Sequence, residues 1–163
     1  MNTVDGTQLP VPTYQVGVFA LVRRHADILL VRPHRLLLPG GPQSLPGTLL
    51  DIRQSGMGVV ESTLRRLLLS QVGISVGDLC LAGSHTTRGD DSPLPRLNLI
   101  FGTEYCSGIL NPQPADLKSA IWVPQGHLTE RVPEWLSAAL FEMGKFGSLT
   151  QNDEGSGLFS RRR

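Results

Sequence analysis

A chain of 163 residues, 40% hydrophobic and 18% charged, has the size of one domain and enough apolar content to bury a core. Its 15 Lys and Arg against 14 Asp and Glu leave a formal charge of +1, with no strong nucleic-acid signal and no acidic shell. No uncharged apolar run is long enough to span a membrane, and the polar opening "MNTVDGTQLPVPTYQ" lacks the basic flank and apolar core of a secretory signal. Two cysteines, Cys80 and Cys106, are too few for a disulfide scaffold and point to a reducing, cytoplasmic setting; their apolar, strand-like contexts predict buried thiols.

Residues 1–13 read as a leader, extended by Pro10 and Pro12. The β-rich runs "QVGVFALVRR" (15–24) and "DILLVR" (27–32) predict a hairpin. "HRLLLPGG" predicts a short strand entering a glycine turn, and 42–57 is turn-rich. From 58 to 72, Val60, Leu64, Leu67, Leu68 and Val72 recur at helical spacing, and Gly73 supplies a stop.

"DLCLAGSHTT" and "RLNLIFGTEYCSG" predict strands flanking the polar loop 88–95, and "SAIWVP" predicts another after the turn "NPQPAD". A second helix is expected over 132–143, with Pro133 in its first turn and Trp135, Leu136, Ala139, Leu140 and Met143 on one face. The Gly/Ser-rich stretch 144–163 reads as a flexible tail. The fold class expected from this order is α+β, an αβα sandwich with a central mixed sheet and two main helices.

Four landmarks, spread over residues 15–143, carry a resemblance: "ILLVR…LLLPGG", "RLLLSQVGI", "RLNLIFGTEYCSGIL" and "SAIWVPQGHL". In order and spacing they resemble the Nudix hydrolases, a family that cleaves nucleoside diphosphates linked to another moiety. The resemblance assigns 14–143 to a Nudix-like domain. In the family box, glutamates following an arginine at i, i+3 and i+4 share one helical face and converge on Mg²⁺. With Arg66 as that arginine, those places hold Leu67, Ser70 and Gln71, while Gly73 and Ile74 keep the closing pair.

An earlier family glutamate is also missing. Counting back eight from Arg66 reaches Gly58, and counting forward six from Gly41 reaches Gly47, or Thr48 with a slip of one. The two counts disagree by ten or eleven residues, which places an insertion near 48–57. The box therefore has no evident Mg²⁺ site, and Mg²⁺ or Mn²⁺ is implied only if other carboxylates stand in.

The substitute acids are Asp51, Glu61 and Glu104, with Asp90 and Asp91 in the polar loop. Glu61 also suits a helix start, and "GDDSP" is ordinary turn chemistry. For an anionic ligand, the candidates are Arg32, Arg35, Arg66, Arg88 and Arg96, with Gly40 and Gly41 allowing close backbone approach. His34 and His85 are candidate acid–base groups. Trp122 and Trp135 read as packing, and Phe19 and Tyr105 as core aromatics able to stack on a base.

Three functional readings follow. The leading one is a divergent Nudix-fold protein that has lost the box glutamates and binds a nucleotide-like phosphate ligand or a partner. The second is a working hydrolase of nucleoside diphosphate-linked compounds using non-standard carboxylates. The third is an interaction module, with the face Leu67–Leu69 partly exposed and a homodimer as one form.

Overall fold

In a computed structural model, residues 11–51, 53, 55–88, 92–128 and 133–151 are described, the last seven of them as backbone. Strands β1 (Gln15–Arg24) and β2 (Asp27–Pro33) form the expected hairpin, turning tightly at His25 and Ala26, with Arg24 opposite Asp27. The remaining strands are β3 (Gly47–Leu49), β4 (Ile74–Val76), β5 (Cys80–Arg88), β6 (Pro95–Gly108) and β7 (Leu117–Pro124). The helices are α1 (Val59–Leu67), continued by a π-helical turn (Leu68–Val72), and α2 (Glu134–Gln151); a 3-10 turn (Gln125–Leu128) follows β7.

The sheet runs β4-β6-β1-β2-β7, with β3 added to β1 and β5 to β6. The pair β1–β6 is parallel and the others are antiparallel, so the sheet is mixed. Side chains alternate across a strand, and β1 is buried on both faces because a helix covers each. Val18, Ala20 and Val22 join Leu64, Leu67, Leu68 and Val72 under α1, whereas Phe19 and Leu21 join Leu136, Ala139 and Met143 under α2. Two separate apolar clusters on one sheet make the chain an α+β sandwich.

Helix α1 owes its place to its periodicity and its charges. Leu64 and Leu67 face inward, while Glu61 in the first turn and Arg65 and Arg66 in the last suit the helix dipole. The helix ends at Gly73, whose φ of 88° lies in the left-handed region. Its N–H donates to the Leu68 carbonyl at 2.9 Å, an i→i+5 bond that closes the π turn.

Several expectations need correction. "HRLLLPGG" contains no strand: after Pro33 the chain leaves the sheet and is next bridged to it, backbone to backbone, where Ser44 exchanges two 2.8 Å bonds with Val31. The strand feeding α1 is β3, beginning at Gly47 after Pro46 and not at Pro39-Gly40-Gly41, so Thr48 and Leu49 of the apparent insertion region are sheet. Cys80 and Cys106 are exposed, because Cys80 opens β5 at the rim and Cys106 lies beyond the covered part of β6. Helix α2 continues past Met143 to Gln151, through the start of the expected tail. Residues 1–10 of the leader, 152–163 of the tail, Val132, Asp90 and Asp91 lie outside the described residues.

Candidate functional site

Leu67 ends α1, and Ser70 and Gln71 lie in the π turn that continues it. Leu67 is 6% exposed and belongs to the apolar core under α1; Ser70 is exposed, and its hydroxyl donates to the Leu67 carbonyl at 3.5 Å. Gln71 lines a cavity of about 250 Å³ together with His34, Arg35, Ser44, Gly47 and Asp116. A π turn advances less per residue than an α turn, and the three positions meet core, solvent and cavity respectively. Of the expected exposed leucine face, Leu67 and Leu68 are core and Leu69 is 64% exposed.

The substitute acids stand apart. Asp51 is bound by Arg53 at 2.7 Å, and these hydrogen bonds hold its carboxyl below the ordinary carboxylate range. Glu61 is exposed at the start of α1. Glu104, on β6, accepts a 2.8 Å bond from Arg23 Nε and pairs with the same guanidinium. Among the described residues, no three His, Cys, Asp or Glu form a set able to hold a metal ion. A Leu–Ser–Gln triple does not suit a hard divalent cation, which takes carboxylate oxygens.

The second cavity shares Ser44 with the first. At about 340 Å³ it is the larger, and Leu30, Arg32, Gly40, Gly41, Ser119, His127 and Trp135 contribute to its wall. Alternation along β2 explains the division: Leu30 and Arg32 point toward α2, while Val31 between them joins the cluster under α1. Arg32 stands opposite Ser119 of β7, and His127 comes from the 3-10 turn after it. No described lining residue is a carboxylate. The Arg32 guanidinium has no hydrogen bond or ion pair to any described residue.

Trp135 is held on two sides. Its Nε1 donates to the Pro39 carbonyl at 3.0 Å, tying the glycine turn to α2, and the His85 ring stacks on it. Gly40 has φ 113° and Gly41 φ 128°; a Cβ on Gly40 would meet Pro133 Cγ at 2.3 Å, whereas one on Gly41 would meet nothing within 4 Å.

Of the sequence candidates, Arg32, Gly40 and Gly41 thus share one cavity, and Arg35 lines the other. Arg66 and Arg88 are exposed and line neither. Arg96 is buried, donating to the Leu37 carbonyl at 3.0 Å and to Gln15 Oε1 at 3.3 Å, a fastening role. His34 Nε2 lies 2.7 Å from the Pro114 carbonyl oxygen. Phe19 is core, while Tyr105 packs edge-on to Trp122 under the Arg24 guanidinium. Sequence reasoning missed His127, Ser119 and Asp116 as lining residues; only the position of His127 just after a strand end hinted at one of them.

No protein-family model matches the chain, and no curated protein matches it. Solved structures do. A MutT NUDIX hydrolase from Burkholderia pseudomallei superposes with a TM-score of 0.63 at 20% identity, over 80% of this chain and 98% of that one. A NUDIX hydrolase from Nitrosomonas europaea gives 0.62 at 16% identity, over 82% and 90%. An ADP-ribose pyrophosphatase from Streptococcus suis gives 0.56 at 19% identity, over 80% and 92%. The chain has the Nudix fold. Fold likeness at this identity does not carry an activity across.

Proposed function

We propose that this Nudix-fold chain binds a small phosphate-containing ligand in the Arg32 cavity and does not perform metal-dependent hydrolysis at its box helix. The observation that carries the reading is the fate of the three box positions: a core leucine, an exposed serine and a neutral glutamine. The Mg²⁺ that the fold family employs would offset phosphate charge and supply an attacking hydroxide, but the residues present do not suit it. Arg32 offers a guanidinium fork matched to phosphate oxygens, and His127 and Ser119 add polar groups beside it.

The test is an assay of the full chain against nucleoside triphosphates, dinucleoside polyphosphates and nucleotide sugars, with Mg²⁺ and then Mn²⁺. The expected result is no turnover, together with calorimetric binding of a phosphate ligand in EDTA. A second reading, hydrolysis through non-standard carboxylates, rests on Asp116, the one carboxylate among the described residues lining the Gln71 cavity. Metal-dependent turnover abolished by Asp116→Asn establishes that reading and sinks the first.

A further inference from the structure

Resting on the binding reading above, we infer that the ligand of the Arg32 cavity is a phosphate monoester of a compact aromatic or apolar alcohol, and not a polyphosphate. Charge is the first reason. A phosphate monoester carries about −1.5 to −2 at pH 7, and the described lining offers one permanent cation, Arg32, one imidazole, His127, and no carboxylate. A triphosphate has roughly twice that charge, and proteins commonly offset it with divalent cations. No described ligand set for such an ion exists here.

The second reason is the order of groups with depth. Leu30 and Leu136 are each 4% exposed and form the inner wall, while Arg32, two residues along β2 on the same face, is exposed at the mouth. Leu128, Pro133 and Trp135 extend the apolar lining. A ligand matched to this gradient inserts its apolar body and leaves its phosphate at the guanidinium. The volume of about 340 Å³ lies at the lower end of small-molecule sites. It accommodates one ring system with one phosphate, and is small for two linked nucleosides.

A third observation concerns where further cations lie. Among the described residues, Arg35 and His34 line the other cavity, and Ser44, joined to Val31 by two backbone bonds, belongs to the walls of both. The apolar wall is also preorganised, with Trp135 fixed by Pro39 and His85 before any ligand arrives.

The experiment titrates the full chain in EDTA with inorganic phosphate, phenyl phosphate, 1-naphthyl phosphate and tripolyphosphate, followed by calorimetry. Expected is at least tenfold tighter binding of one aryl phosphate than of inorganic phosphate, with tripolyphosphate no tighter than that aryl phosphate. Arg32→Gln lowers aryl phosphate affinity at least tenfold while leaving the thermal midpoint unchanged. Tripolyphosphate binding tightest, with the same loss in Arg32→Gln, overturns this inference and leaves the binding reading standing. Absence of binding by every anion overturns both, as does aryl phosphate binding that Arg32→Gln leaves intact.

Discussion

The imidazole of His85 lies flat against the indole of Trp135, ring centroids 5.8 Å apart and planes 5° from parallel. His85 comes from β5 and Trp135 from the first turn of α2, so the stack pins the helix start to the sheet. Burial lowers the His85 pKa from its ordinary 6.5, and its buried Nδ1 has no hydrogen-bond partner among the described residues. With a folded pKa below the unfolded one, the unfolded chain binds more protons in the window just below pH 6.5. The stabilising contribution is therefore complete above pH 6.5 and is lost as pH falls through the lower folded value. Thermal midpoints across pH 5 to 8 should fall on the acid side for the native chain, and His85→Phe should flatten that part of the profile. Parallel profiles for the two proteins would refute the assignment.

Leu67 and Ser70 should respond very differently to an introduced carboxylate. Leu67→Glu removes a core leucine and buries a charge, costing about 3 kcal/mol or more in urea unfolding. Ser70→Glu alters an exposed side chain and should change stability by no more than about 0.5 kcal/mol. Similar losses for both would mean that Leu67 is not the core residue described.

The two glycines before Pro42 separate steric from conformational cost. Gly41→Ala meets only the strain of its positive φ, about 1–2 kcal/mol. Gly40→Ala adds a clash with Pro133, so it should be destabilised further and should shift the Trp135 fluorescence. A Gly40→Ala protein as stable as Gly41→Ala would show that the turn does not press on α2.

Glu104 is tied to Arg23 on a partly exposed strand end. A double-mutant cycle with Arg23→Ala and Glu104→Ala should give a coupling below about 1 kcal/mol, the range of surface ion pairs. A much larger coupling would show the pair to be part of a more buried network.

Much of the scaffold was legible before any tertiary structure. The hairpin 15–32, the leucine spacing of α1, the stop at Gly73 and the long strand after Arg96 all follow from local periodicity and turn chemistry, and each appears where that chemistry places it. That Leu67, Ser70 and Gln71 stand where the Nudix resemblance expects glutamates is likewise read from the sequence alone. Local pattern misled where rim and middle of a strand look alike: Cys106 sits in an apolar context yet lies past the alternately buried part of β6 and is exposed.

The cavities belonged to the tertiary structure. Nothing in "DILLVRP" says that Arg32 and Gly40 share a wall with Ser119, His127 and Trp135, because those residues are joined by β2–β7 pairing and by the Trp135–Pro39 bond across a long stretch of chain. Nor does spacing distinguish Arg32 at a cavity mouth from Arg96 buried under the Leu37 carbonyl. The sequence by itself determined which side chains the chain has and which segments would be helix or strand, since those depend on neighbours a few residues away. Which arginine lines a cavity, and which cysteine meets water, depended on how distant segments cover one another, and only the packed sheet with its two helices decided that.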